Sequence, residues 1–172
     1  MPALATDLPE FYLQPGELRI VRTPSILKTV LGSCVGITFH EPRLGASALC
    51  HPIMPTHTPK PFVRADPVVA RRYVDYVIRE VADTFDRLGA ARREVEVKLF
   101  GGADVLASSR KNATVGRMNA EIALRILEDE GFRVLASHLG GSRGIFIEFH
   151  TDTGEVFLRK LAGMDLRTLA RT

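Results

Sequence analysis

Val35-Gly36-Ile37-Thr38-Phe39-His40, Glu41-Pro42-Arg43-Leu44-Gly45 and Ala46-Ser47-Ala48-Leu49-Cys50 read as strand, turn and strand. Ile, Thr, Phe and Leu populate the two arms, and Pro and Gly punctuate the middle. If His40 pairs with Gly45 across a four-residue loop, Cys34 lies directly opposite His51. Backbones opposed in such a ladder stand about 4.5–5.5 Å apart. A thiol within reach of an imidazole is the minimal nucleophile–base unit.

Outward from the hairpin, short strands dominate. Gly16 to Arg22 and Ser25 to Leu31 precede it, and residues 1–10 read as a frayed arm. Pro52 to Pro67, with Pro55, Pro59 and Pro61 between, reads as a long loop beside the candidate site. Asp66-Pro67 supplies an N-cap and a proline at the first helical position. Apolar residues at Ala70, Tyr73, Val74, Val77, Ile78, Val81, Phe85 and Leu88 then keep a helical spacing up to Gly89. Asp75 falls on the polar face of that helix. Glu94 to Phe100 alternates as a strand, and Val115 to Glu130 reads as a second helix with Met118, Ile122, Ile126 and Leu127 inward. Phe132 to Leu139, Ile145 to His150 and Glu155 to Leu161 add three strands. The last two are joined by the tight turn Thr151-Asp152-Thr153-Gly154. Many strands, short connections and two helices predict an α+β fold in one domain, residues 1–172.

The 172 residues suffice for a substantial core. A hydrophobic content of 45% and a charged content of 25% place the chain among soluble globular proteins. No stretch approaches the ~18 apolar residues of a membrane span, and Met1 to Glu10 lacks a signal-peptide pattern, so the expected compartment is the cytoplasm. The net charge of +3 and pI near 9.1 are mild, without a Lys/Arg block, which speaks against nucleic-acid binding. Two cysteines make no disulfide framework. Each is a small core residue or a chemical group.

Gly32-Ser33 before Cys34 opens the backbone to a substrate, and N–H groups around Ser33 and Cys34 are candidate oxyanion donors. The competing assignment for Cys34 is a strand-entry cysteine filling a core gap. His51, flanked by Pro52 and near Met54, sits in an apolar setting that keeps it neutral and able to take a thiol proton. A thiolate–imidazolium pair would then pull the thiol pKa down, to somewhere around 3.5–7.5. The competing role for His51 is capping a strand end. Cys50, adjacent to His51, points to the other face and reads as packing. Zinc would have to recruit Cys34, Cys50, His51 and His57. Without a C-x-x-C pair, and with Cys50 and His51 pointing apart, it is not expected. Gly101-Gly102 and Gly140-Gly141 lack phosphate-loop spacing and read as strand-end turns needing positive φ. Of the remaining histidines, His40, His57, His138 and His150, only His57 is expected near the site.

These residues resemble the chemoreceptor glutamine deamidases called CheD, from about Glu17 to Leu161. The resemblance rests on Leu-Gly-Ser-Cys-Val at 31–35, His51 followed by Met-Pro at 54–55, and Lys-Leu-Phe-Gly-Gly-Ala at 98–103. Val-Gly-Arg-Met-Asn at 115–119, Leu-Gly-Gly at 139–141 and Thr-Gly-Glu-Val at 153–156 complete it. It implies a hydrolase that converts particular glutamines of methyl-accepting chemotaxis receptors to glutamates, and the expected mechanism requires no metal or cofactor. Some members also hydrolyse glutamyl methyl esters. The family's nucleophile maps onto Cys34 and its histidine onto His51. Its threonine maps onto Thr29, although some relatives carry it one position earlier, where this chain has Lys28. The resemblance further implies a mixed β-sandwich core with helices packed outside. Two departures, His138-Leu139 before the second Gly-Gly and an early Arg143 after it, concern only the loop past Gly141.

The rival from another class is a non-catalytic module that docks a receptor or a CheC-type phosphatase. A scaffold has no need of a reactive thiol beside a histidine. Redox sensing through Cys34 and Cys50 needs both thiols on one face, which strand alternation disfavours.

Overall fold

The computed structural model describes residues 7–58, 61, 64–105 and 114–162. Strands β1 (Glu10–Tyr12), β2 (Leu18–Val21), β3 (Ile26–Leu31), β4 (Val35–Glu41) and β5 (Ala46–Cys50) come first. Helices α1 (Pro67–Ala70) and α2 (Val74–Arg87) follow, then β6 (Glu96–Gly101), α3 (Val115–Asp129), β7 (Arg133–Leu139), β8 (Ile145–His150) and β9 (Val156–Lys160). They form two mixed sheets, ordered β1-β3-β8-β9 and β2-β5-β4-β6-β7. The fold is α+β, a β-sandwich with helices outside. Among the described residues no helix is long and apolar enough to cross a membrane.

The five-stranded sheet lies between two different layers, which is why β4 is buried at every position. Val35, Ile37 and Phe39 of β4, with Ala46, Ala48 and Cys50 of β5, pack under Val77, Ile78, Val81 and Phe85 of α2 and Ile126 and Leu127 of α3. The opposite face meets the four-stranded sheet in a second cluster, in which Leu49 and Phe100 join Leu27, Leu31, Ile145, Ile147 and Phe149. Period-two alternation therefore sorts this sheet's side chains between a helix layer and an inter-sheet seam.

The central hairpin forms with a register two positions from the expected one. Ile37 pairs with Cys50 and Glu41 with Ala46, so the loop is Pro42 to Gly45 rather than Glu41 to Leu44. Gly45 has φ +59, a left-handed conformation that belongs in a turn. The Glu41 carboxylate fixes the same turn by accepting from Leu44 N–H at 2.6 Å.

Four other expectations need correction. Of the supposed arm, residues 1–6 lie outside the described residues, but Glu10 opens β1 and the Pro9 carbonyl accepts from Ile26 N–H. The long helix is broken. Asp66 caps α1 as expected, accepting from Val68 N–H, yet Tyr73 is extended before α2 begins. The segment after β5 causes the break: Ile53 and Met54 N–H both donate to the Arg72 carbonyl, and Val74 N–H donates to Met54. Asp75 is buried rather than solvated, its carboxylate accepting from His57 N–H at 2.8 Å. In α3, Met118 is 41% exposed, and the inward stripe is Gly116, Asn119, Ala123, Ile126 and Leu127. The first part of the helix packs through small residues, and a Cβ at Gly116 would come within 2.3 Å of the Ala103 carbonyl.

Candidate active site

Carried one pair past Ile37 and Cys50, the register sets His51 across from Gly36, and the Val35 N–H to Pro52 carbonyl bond continues the ladder. Cys34 is therefore not directly opposite His51 but diagonal to it. The two-residue displacement preserves the face, because alternation has period two. Cys34 packs against the inter-sheet cluster, and His51 projects from the same side as Leu49. Both stand at the seam between the sheets.

His51 is held from every direction but one. Its backbone N–H donates to Glu17 and its carbonyl accepts from Gly16 N–H, which extends the pairing of β5 with β2. Its ring Nδ1 lies 2.7 Å from the Thr29 hydroxyl, and that hydroxyl donates to the Leu13 carbonyl at 2.9 Å. A hydroxyl carries one proton. With that proton committed to Leu13, Thr29 accepts from His51, so Nδ1 bears the ring proton and Nε2 the lone pair. Nε2 is buried without a partner among the described residues. Burial lowers the His51 pKa to about 4, so the ring is neutral at physiological pH. The result is an imidazole of fixed tautomer with a bare basic nitrogen.

Thr29 reaches His51 because β3 alternates: Leu27, Thr29 and Leu31 face the seam. Lys28, the other candidate position, points to the outer face and pairs with Glu10 at 2.6 Å and Glu148 at 3.5 Å.

The Cys34 thiol is partly buried, and desolvation pushes its pKa up to about 11. This is opposite to the expected depression. Burial thus disfavours the charged form of both groups, thiolate and imidazolium alike, and favours the neutral thiol beside a neutral imidazole.

The backbone around Cys34 is pinned by its carbonyls. Gly32 accepts from Ala103 N–H at 2.9 Å, Ser33 from Asn119 Nδ2 at 3.0 Å, and Cys34 from Gly102 N–H at 2.8 Å. A trans peptide sets each carbonyl antiparallel to the next residue's N–H, so the N–H groups of Ser33 and Cys34 are fixed in direction as well. Neither donates to another residue among the described residues. The close approach of β6 requires Gly101, whose φ is +98 and whose Cβ would stand 2.3 Å from the Cys34 carbonyl. Gly102, Gly140 and Gly141 also have positive φ, as strand-end turns require.

Asn119 had no assigned role in the sequence reading. Fully buried, it donates to Ser33 and, at 3.1 Å, to Ile53, while its Oδ1 lacks a partner among the described residues. An orphaned buried acceptor costs about 1–3 kcal/mol. The available signal was a small-residue stripe, Gly116, Asn119 and Ala123, at helical spacing. Cys50 lies on the helix side, fully buried, its thiol 3.8 Å from the Ile37 carbonyl. His57 packs edge-on against Tyr73 and Tyr76, and its N–H donates to Asp75 rather than toward His51 or Cys34. Among the described residues no cluster of His, Cys, Asp and Glu is arranged to hold a metal ion.

Comparison with known proteins adds a family. Residues 59–160 match the model for CheD, described as CheD chemotactic sensory transduction. That segment begins after Thr29, Cys34 and His51, but whole-chain relatives span them. The chain is 39% identical over 161 residues to a Geobacter sulfurreducens protein named "Probable chemoreceptor glutamine deamidase CheD 2", covering 94% of this chain and 96% of that protein. It is 33% identical to a Maridesulfovibrio salexigens protein named "Probable chemoreceptor glutamine deamidase CheD", covering 94% and 97%. Among solved structures, hypothetical protein YfiH of Bacillus licheniformis aligns with TM-score 0.45 and 11% identity over 73% of this chain and 49% of that one. That likeness is too loose to carry an argument.

Proposed function

This chain belongs to the CheD family, and from that premise we propose that it deamidates glutamine side chains of chemoreceptors, with Cys34 as nucleophile and His51 as base. The observation that carries the mechanism is the Thr29–His51 contact, which leaves Nε2 as a neutral acceptor, unpartnered among the described residues, on the face shared with Cys34.

As the thiol sulfur attacks the carboxamide carbon, His51 Nε2 takes its proton. Because burial disfavours thiolate and imidazolium alike, this is a general-base step in which proton transfer accompanies C–S bond formation. The oxyanion is received by the N–H groups of Ser33 and Cys34, each worth roughly 10²–10³ in rate. Protonated His51 then donates to the departing nitrogen, and the C–N bond breaks to release ammonia and leave a thioester. Water, deprotonated by neutral His51, attacks the thioester, and the thiol leaves with the proton. The products are glutamate and ammonia. Thr29 keeps the imidazole in one tautomer throughout.

Co-expression with a chemoreceptor cytoplasmic fragment, followed by peptide mass spectrometry, tests this function. Glutamine-to-glutamate conversion at defined positions supports it. Unaltered glutamines with the intact chain present would refute it.

A further inference from the structure

We infer that Asn119 is a positioning residue for the nucleophile, holding the Ser33–Cys34 peptide so that the Cys34 N–H serves as an oxyanion donor; this rests on the deamidase reading above. The motif that contains Asn119, Val-Gly-Arg-Met-Asn at 115–119, has no part in the chemistry as so far described. Its side chain reaches the site from a third layer of the fold. From α3, one amide group donates to the carbonyl preceding the nucleophile and to Ile53, two residues past the base. It therefore spans the two chain segments that carry the reacting pair.

The peptide geometry gives this bond its consequence. Fixing the Ser33 oxygen fixes the antiparallel Cys34 N–H. The flanking carbonyls of Gly32 and Cys34 are held by backbone donors, Ala103 and Gly102. Ser33 alone is held by a side chain. The Oδ1, without a partner among the described residues, points the same way: a side chain serving packing alone would not bring a buried acceptor there. The position is occupied for its two N–H donors.

The test uses the full chain, a receptor fragment as substrate, and Asn119→Asp, Asn119→Ala and Cys34→Ala variants. Ionised aspartate is near-isosteric with asparagine but donates nothing. Both Asn119 variants should lose about 10- to 100-fold in kcat with KM within about threefold of wild type, the scale of a misplaced oxyanion donor. A buried carboxyl regains one donor on protonation. The ratio of Asn119→Asp to wild-type kcat should therefore rise as pH falls from about 8 to about 6, and the Asn119→Ala ratio should stay flat. A purely structural role would instead lower the folded fraction, read by circular dichroism, with kcat per folded molecule unchanged. That result, a loss confined to KM, or a flat Asn119→Asp ratio would overturn the inference. If Asn119→Asp does not fold, Asn119→Ala still supplies the split between kcat and KM. Ammonia release by Cys34→Ala would overturn the deamidase mechanism itself, and this inference with it.

Discussion

The two faces of the five-stranded sheet are both closed to water, yet they are built from different materials. The helix side takes Val35, Ile37, Phe39, Ala46, Ala48 and Cys50, apolar groups with no polar demand beyond the weak Cys50 thiol contact. The seam side takes Thr38, His40 and Ser47 from the same two strands, His51 just past the end of β5, and Thr29 from the facing sheet. His40 and Ser47 satisfy each other at 2.9 Å, whereas His51 is satisfied at one nitrogen and has no partner among the described residues at the other. Burial alone therefore does not define a site. Burying about 25 cal/mol per Å² of apolar surface stabilises the helix side. The seam gives up some of that stabilisation to hold a polar group ready for an incoming one.

This contrast can be broken at several points. His51→Ala should lower ammonia release about 10²–10⁴-fold, measured on a receptor fragment, and near-normal turnover would make the seam histidine another satisfied core residue. Stability should show the same strain. His51 is neutral in the fold down to about pH 4 but takes a proton near 6.5 when unfolded. The unfolded chain thus binds more protons between those values, and stability falls as pH falls through that window by about 3 kcal/mol. Urea unfolding of wild type and His51→Gln from pH 7 to pH 4 isolates this contribution as the difference between the two curves. Thr29→Val removes the hydroxyl that fixes the tautomer and should lower kcat about tenfold, with Thr29→Ser close to wild type. The smallest effect belongs to the helix side. Cys50→Ser should cost about 1–3 kcal/mol of stability through a buried hydroxyl, while turnover per folded molecule stays within about twofold of wild type.

The alternation that separates these faces was legible in the sequence. It placed Cys50 and His51 on opposite sides and identified each of the long strands, because period two survives an error in register. The register itself was not legible. Two four-residue loops fit the same turn residues, and the choice depended on the left-handed Gly45 and the Glu41 carboxylate, neither of which a hydrophobic pattern encodes. The helix break at Tyr73 was hidden for a similar reason: its cause is a backbone pairing with Ile53 and Met54, distant in sequence. Asn119 was obscured because helical periodicity was followed through large residues, which put Met118 inward, when the first part of α3 docks through small ones. The raised Cys34 pKa follows from partial burial in the seam, and a motif conveys nothing of depth.

The central claim is that the seam cysteine, and not the helix-side cysteine, performs the chemistry. Ammonia release from a receptor fragment, measured side by side for Cys34→Ala and Cys50→Ala, tests it most directly. The account predicts no release above background for Cys34→Ala and release within about twofold of wild type for folded Cys50→Ala. Activity retained by Cys34→Ala, or lost equally in both, would contradict it.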